Sequence, residues 1–548
     1  MTPPMRPGPG SPPELLASVP FAQRTIAGLL HDRVADTPDH PVVEVDGEPL
    51  TWAALEHRSR VLAAGLASAG VERGDVVCQM AGNTAGHVVA VFAVARLGAV
   101  ECPLNTGLRG EPLRHILGHS GARALLVEAT YLERVEPELV RLDGIPLVVV
   151  RGTGVVDAPG RTVLAETELS GSGELREPET RPQDAATIIY TSGTTGPAKG
   201  VVLPHHFAFT AAAVKIGTWG LGPSDVLFSP LPLFHANARY STLLTACVLN
   251  ARAVVVERFS ASRFWDQVRK ARATEVGTVG TIPPILLERP EHPRDRDHEV
   301  RMMHGAGALD PAKREAFERR FGVRLVTGFS MTETSHFSTT SPDDPGRYRA
   351  AGRPVAGFAV TILDDQDQSL PPGHVGEIAV RPEMPFSMLL GYHRDPHATV
   401  EAFRNLWFHT GDLGLLDQDG YLHWVDRRKD AIRRKGEMVS SRDVEVAALS
   451  FPGVAEAAAV GVPGELGEEE VALLVRWKEG DSAQLDALLR HCRAALPDYA
   501  VPSYLRTVKS FPRTATHKID KRTLREASAS VPAGEVLSSA PLPKGGAP

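Results

Sequence analysis

The sequence predicts an α/β protein of more than one domain, its mostly parallel sheets covered by helices. Short apolar runs alternate with longer stretches in which apolar residues recur three and four positions apart, which is the mark of strands alternating with amphipathic helices. That alternation makes parallel sheets, because a helix carries the chain back before the next strand starts. A length of 548 residues exceeds what one hydrophobic core organises.

The elements follow in order. A helix is expected over 51–69, with Thr51 as its N-cap, Leu55, Leu62 and Leu66 on one face, and Gly70 as its stop. A strand over 76–80 comes next, then an apolar helix over 85–97 ended by Gly98, then a strand over 99–102 closed by Pro103. Strand-like runs return at 124–127, 147–150, 226–229 and 253–256. Residues 158–184, rich in Gly, Glu, Pro and Ser, read as a surface loop leading to a buried strand over 185–190. Nearer the C-terminus come strands over 457–462 and 471–477 and a helix over 485–495. The proline-rich stretch 1–14 has no signal-peptide core and reads as a disordered lead, and 531–548 as a disordered tail.

The composition excludes several classes. A net charge of −7 argues against a general nucleic-acid binder. No apolar run reaches membrane-spanning length. Cys78, Cys102, Cys247 and Cys492 lack Cys-x-x-Cys spacing, which fits reduced thiols in a cytoplasmic protein and offers no zinc framework.

One stretch carries most of the chemistry. Thr191-Ser-Gly-Thr-Thr-Gly-Pro-Ala-Lys-Gly200 holds three glycines, four hydroxyl side chains and one lysine. Glycines let consecutive N–H groups turn into one concavity suited to phosphate oxygens, and Lys199 adds a mobile cation. It is not a Walker A loop, because Gly200 and Val201 follow Lys199 where Ser or Thr is required. Further motifs follow in order: Pro230-Leu-Pro-Leu-Phe-His-Ala-Asn237, His304-Gly-Ala-Gly307, Thr327-Gly-Phe-Ser-Met-Thr-Glu-Thr334, Trp407-Phe-His-Thr-Gly-Asp-Leu413, Gly420 to Asp430, and Pro512 to Lys521.

Together, over roughly residues 20–528, these resemble the adenylate-forming superfamily of acyl-CoA synthetases, peptide-synthetase adenylation domains and beetle luciferases. The overall look is nearest to crotonobetaine/carnitine-type and fatty-acid-type CoA ligases. The resemblance implies a large N-terminal domain of layered sheets over 15–427 and a small, mobile α+β C-terminal lid over 428–530. It implies an enzyme that uses ATP, Mg²⁺ and coenzyme A to join a carboxylic acid to a thiol through an acyl-adenylate.

Roles come with it. Thr191, Ser192, Gly193, Thr194, Thr195, Gly196 and Lys199 would hold the phosphates. Gly305, Ala306 and Gly307 would meet the adenine edge, Phe329 would stack on the base, and Ser330 stands where glycine is usual. Thr332 would bond the α-phosphate, Glu333 would carry Mg²⁺, and Asp412 and Arg427 would hold the ribose. Lys518 would reach the carboxylate and α-phosphate during adenylation. Lys429 falls at the hinge, and Lys435 and Gly436 open the thiol-side loop. His235, Asn237, Gly277, Thr278, Gly280 and Ser335 would line the acyl pocket. So many small residues there suggest a roomy pocket for a bulky or cyclic acid. Ala236, Asn237 and Arg239 replace the aspartate by which peptide-synthetase domains bind an amino group, which favours a non-amino acid.

Two departures fall late in the chain: Met438 where asparagine is usual, and His517 where glycine precedes the lysine. They keep open an adenylating enzyme that passes acyl-AMP to a partner enzyme or a carrier protein. A non-catalytic acyl- or nucleotide-binding protein is the alternative from another class. The expected state is monomer or homodimer.

Overall fold

The computed structural model describes residues 16, 19–154, 156–169, 175–191, 197–305, 309, 311–342, 350–434, 437–463, 469–479, 484–513 and 519–529. Two large sheets dominate it. In the eight-stranded sheet the order is Gly391–Tyr392, Lys199–Pro204, Ala185–Thr191, Val100–Pro103, Val76–Met80, Ala124–Glu128, Leu147–Arg151 and Thr162–Ala165. The seven-stranded sheet runs Arg324–Val326, Met302–His304, Glu275–Gly277, Val226–Ser229, Arg252–Val255, Pro41–Val45 and Glu48–Thr51. The interior pairs of both are parallel, apart from the hairpin of Ala185–Thr191 with Lys199–Pro204.

Helices sit between these sheets because they are apolar all round. Every residue of Ala85–Arg96 except Gly86 is buried, as are ten of the thirteen in Phe207–Trp219. A helix without a polar face has to be enclosed on all sides. Its neighbours in one continuous core come from both sheets, among them Val77 and Ile189 from one and Leu227 and Met302 from the other. The outer face of the eight-stranded sheet is covered by Gly110–Ser120 and Leu132–Leu139, which have one apolar face each.

The expected helix over 51–69 is found as Trp52–Ser68, and Thr51 Oγ1 accepts from the Ala54 amide at 3.1 Å, as its N-cap position demands. One expectation is corrected. The stretch read as a loop over 158–184 contains a strand, Thr162–Ala165, laid parallel on Leu147–Arg151. Its turn-rich flanks hide four residues that need only one pairing edge.

Two smaller sheets complete the part that positions the site. Gly328–Met331, Ser335–Thr339 and Arg353–Pro354 form one, and Phe358–Leu363, Gly376–Pro382, Phe408–Leu416 and Leu422–Arg427 form the other. Beyond them, Val454–Pro463, Glu469–Trp477 and Tyr504–Thr507 make a sheet with its own core against Ser441–Leu449 and Leu485–Ala495. Among the described residues no helix is long and apolar enough to cross a membrane. The lead 1–14 and the tail 531–548 lie outside the described residues.

Candidate functional site

Thr191 and Lys199 are register partners at the open end of their hairpin, where Thr191 Oγ1 donates to the Lys199 carbonyl at 3.4 Å. The residues between them that carry the phosphate motif, Ser192, Gly193, Thr194, Thr195 and Gly196, lie outside the described residues. The exposed Lys199 ammonium stands 5.0 Å above the ring of Tyr392, whose short strand pairs with Lys199–Pro204. That is cation–π range. The Tyr392 hydroxyl in turn donates to Glu333 Oε1 at 3.1 Å.

Glu333 follows the half-buried Thr332 in the tight turn between Gly328–Met331 and Ser335–Thr339. The Leu389 amide donates to its carbonyl at 2.8 Å, which pins the turn. Only 6 % of Glu333 is exposed, and burial raises its carboxyl above the ordinary carboxylate range, with Asp412 adding to the rise and the Tyr392 hydrogen bond opposing it. A carboxylate held this way gains from a cation. Mg²⁺ is typically held by one or two carboxylates plus substrate phosphates and water. A buried carboxylate whose partner Tyr392 also carries the Lys199 ammonium over its ring fits that demand, and no cage of three His, Cys, Asp or Glu exists among the described residues. Glu333 is thus the residue that would hold the ion.

Asp412 and Arg427 face each other across the strand pair Phe408–Leu416 and Leu422–Arg427, with Arg427 Nε 3.8 Å from Asp412 Oδ1. Burial pushes the Asp412 carboxyl up to about 6, against the pull of Arg427. The peptide of Asp412 donates to Thr410 Oγ1 at 3.1 Å, fixing the Thr-Gly turn. Phe329 is half-buried, edge-on to Phe337 at 5.0 Å, and Ser330 beside it is exposed. Gly305 has φ +79°, and a Cβ there would fall 2.1 Å from the Thr278 carbonyl oxygen, so only glycine fits. Ala306 and Gly307 lie outside the described residues.

On the acyl side, Asn237 opens a π-helix, Asn237–Leu244. Asn237 Nδ2 donates to the Thr278 carbonyl at 3.2 Å. Thr278 donates both its amide and its hydroxyl to the His304 carbonyl, at 2.9 and 2.7 Å. Asn237, Gly277, Thr278 and Gly305 therefore meet. The exposed His235 rests its ring on Phe234 at 4.5 Å, Gly280 lies in an exposed turn, and Ser335 is buried with φ +60°. A Cβ at Gly277 would lie 3.1 Å from Thr242 Oγ1 and 3.2 Å from His304 Cε1, so Gly277, like Gly305, is small because its neighbours crowd it.

Lys429 is half-buried, and burial together with Arg427 lowers its ammonium pKa. Its carbonyl accepts from Arg525 at 2.9 Å, and Asp426 Oδ2 accepts from the Ser441 amide and hydroxyl at 2.6 and 2.7 Å. These bonds tie the expected hinge to Ser441–Leu449 and Lys521–Ala529. Lys435, Gly436 and Lys518 lie outside the described residues.

Comparison with known proteins agrees with this geometry. Residues 30–393 match the AMP-binding enzyme family, and 443–518 match the AMP-binding enzyme C-terminal domain. The chain belongs to the AMP-binding enzyme family. A probable CoA ligase of Humulus lupulus is 33 % identical over 95 % of this chain and 99 % of its own length. A crotonobetaine/carnitine–CoA ligase of Salmonella paratyphi A is 30 % identical over 84 % of this chain and 89 % of its own. Among solved structures, the O-succinylbenzoate CoA synthetase of Bacillus subtilis with ATP and magnesium superposes with a TM-score of 0.79 at 27 % identity, covering 90 % of this chain and 98 % of that one. This AMP-binding enzyme is an AMP-forming acid–CoA ligase that uses ATP, Mg²⁺ and CoA.

Tyr392 was not found by sequence reasoning. It links Lys199 to Glu333 in this AMP-binding enzyme, one by its ring face and the other by its hydroxyl. The signal lay in Gly391-Tyr392, which follows an apolar run and resembles an ordinary turn.

Proposed function

We propose that this AMP-binding enzyme activates a non-amino carboxylic acid as its acyl-adenylate and passes the acyl group to CoA, with the residues named above in the roles their positions suit. The observation that carries this reading is the chain Lys199–Tyr392–Glu333, in which a cation suited to phosphate and a buried carboxylate suited to Mg²⁺ contact opposite parts of one side chain.

In the first half-reaction a carboxylate oxygen attacks the α-phosphorus of ATP. The new P–O bond forms as the bond to the β-phosphate bridging oxygen breaks, and pyrophosphate leaves with the electron pair. The nucleophile is already an anion, so no general base is needed. The protein must instead bring two anions together and stabilise the charge that builds at phosphorus. Lys199 suits the β- and γ-phosphates, Thr332 can donate to an α-phosphate oxygen, and Lys518 has the charge to draw the carboxylate to the phosphorus. Bound Mg²⁺ supplies neutralisation of phosphate charge. Asp412 and Arg427 hold the ribose, Phe329 offers an apolar face to adenine, and His235 stands between the two substrates. In the second half-reaction the CoA thiol loses its proton to solvent, its sulfur bonds to the acyl carbon, and the bond from that carbon to the phosphate oxygen breaks, so that AMP departs with the bonding pair.

The division into 15–427 and a lid over 428–530 turning at Lys429, with Lys435 and Gly436 on the thiol side, gives one site two geometries. Four buried thiols support a reducing, cytoplasmic setting, and the enzyme is taken as monomer or homodimer. The non-amino preference rests on Ala236 and Asn237. The bulky-acid reading rests on the small residues Gly277, Thr278, Gly280 and Ser335, of which Gly277 also has Thr242 and His304 packed against it. A second reading, adenylation with transfer to a carrier protein or partner enzyme, rests on Met438 and His517 alone. Incubation with MgATP and an acid panel, with and without CoA, tests both. Acyl-CoA supports the first, and acyl-AMP that persists in the presence of CoA supports the second.

A further inference from the structure

Three half-buried histidines stand together beside the hairpin that carries Lys199. His115 and His119 lie four apart on the helix Gly110–Ser120, and His393 follows Tyr392. The His119 ring is 5.3 Å from that of His115 and 5.6 Å from that of His393. His115 Nε2 is 3.2 Å from the Ala198 carbonyl, and His119 Nδ1 is 2.8 Å from the Tyr190 hydroxyl. His393 donates its amide to the Gly200 carbonyl at 2.7 Å, and its Nε2 is 3.0 Å from the Ser120 carbonyl. A carbonyl only accepts, so Nε2 of His115 and of His393 donates whatever the charge of the ring.

These contacts brace both strands from outside. Tyr190 and Ala198 stand one residue before Thr191 and Lys199, the last register pair before the phosphate stretch, and the side-chain bond across that pair is long at 3.4 Å. Gly200, the register partner of Tyr190, lets the brace close, because a Cβ there would lie 3.1 Å from His393 Cβ and 3.2 Å from Tyr190 Cζ. The helix is answered in return. Ser120 is its last residue, and a helix end leaves its final carbonyls without an internal partner. His393 fills the Ser120 carbonyl, and Arg394 Nη1 reaches that of His119 at 3.4 Å. The strand Gly391–Tyr392 pairs with Lys199–Pro204 and sets the Tyr392 ring under the Lys199 ammonium. Three rings thus join one helix to both hairpin strands and to the strand of Tyr392.

We propose that His115, His119 and His393 are positioning residues for ATP: they lock the helix Gly110–Ser120 to the hairpin and to the Tyr392 strand, and so hold Lys199 where the β- and γ-phosphates arrive. This rests on the phosphate role given to Lys199 above. A binding stretch whose flanks are fixed beforehand gives up less conformational freedom when its ligand arrives. AMP has no β- or γ-phosphate, so the three rings matter for ATP and not for AMP.

The test is titration calorimetry of the full chain with MgATP and, separately, with AMP. His115→Leu and His393→Leu should each weaken MgATP binding by about two- to tenfold, the worth of one hydrogen bond, and leave AMP binding unchanged. His115→Gln and His393→Gln supply a side-chain N–H in place of the lost donor and should recover most of the loss. Tyr190→Phe removes only the hydroxyl that His119 meets and should show the same ATP-selective loss; so small a change keeps the test decisive if a Leu variant fails to fold. A role in stability alone would lower the thermal midpoint and shift both nucleotides together or neither. Either pattern in these variants overturns the proposal while the ligase reading stands, and so does an ATP-selective loss that glutamine does not recover. A parent protein that binds neither MgATP nor AMP overturns the ligase reading and this proposal with it.

Discussion

On the nucleotide side, buried Asp412 faces Arg427 at 3.8 Å and buried Glu333 accepts from Tyr392 at 3.1 Å. On the acyl side, Asn237 Oδ1, Thr242 Oγ1, Glu275 Oε2 and His304 Nε2 have no partner among the described residues. The first region carries its answering groups within the chain, and its remaining need is for cations and ribose hydroxyls common to every ATP-dependent reaction. The second leaves four buried polar atoms without a partner among the described residues. A part that binds an invariant cosubstrate can be pre-paired by its own neighbours.

Substitutions probe each side of that contrast. The largest effect is expected for Glu333→Gln, which keeps the shape and removes the charge that would hold Mg²⁺; ATP–pyrophosphate exchange should fall by about 10²- to 10³-fold. Loss of less than threefold would place the ion elsewhere. Asp412→Asn should weaken ATP binding by about 1.5–3 kcal/mol, read by titration calorimetry, because hydrogen bonds to a charged group are worth that much.

The pH dependence of Asp412 sharpens the comparison further. Its carboxyl is raised from 3.8 to about 6 in the folded protein. Stability from this group is therefore full below about 4 and is lost as pH rises through 6. ATP affinity should run the other way, rising with pH through 6 as the carboxylate ionises and can accept both ribose hydroxyls. Asp412→Asn should flatten both profiles, and ATP affinity that is flat between pH 5 and 7 in the parent protein would count against the ribose role.

Tyr392→Phe should cost about 1 kcal/mol in kcat/KM, since one hydrogen bond to Glu333 is lost while the ring under Lys199 remains. That bond holds the Glu333 carboxyl down, so the acid limb of the rate profile should also move to higher pH. A merely structural role would lower activity without that movement. The smallest effect belongs to the acyl side: Thr242→Val should leave stability unchanged or raise it by up to about 1 kcal/mol, measured by denaturant unfolding. A loss above 1 kcal/mol would mean that the hydroxyl is paired after all.

The same contrast explains what could be read from the sequence. The nucleotide side sits in contiguous motifs, so Lys199, Glu333, Asp412 and Arg427 were named from a few neighbouring residues each. The strand and helix alternation was legible for the same local reason, down to the Thr51 cap. Tyr392 was missed because its meaning lies in two contacts, 193 and 59 positions away along the chain, with Lys199 and Glu333. The buried polar cluster was missed because Thr242, Glu275 and His304 converge only when a π-helix and two strands pack together. That Thr242 and His304 pack closely against Gly277 was not legible either, since spacing along a chain does not reveal what packs against it. Thr162–Ala165 escaped because four residues with no face of their own become a strand only through the neighbour that pairs them.

The most direct test of the central claim is the product analysis of the purified protein with MgATP, the acid panel and CoA by mass spectrometry. The account requires AMP, pyrophosphate and acyl-CoA in equal amounts, with acyl-AMP trapped when CoA is left out. ADP in place of AMP, or acyl-CoA formed with no acyl-AMP detectable under any condition, would contradict it.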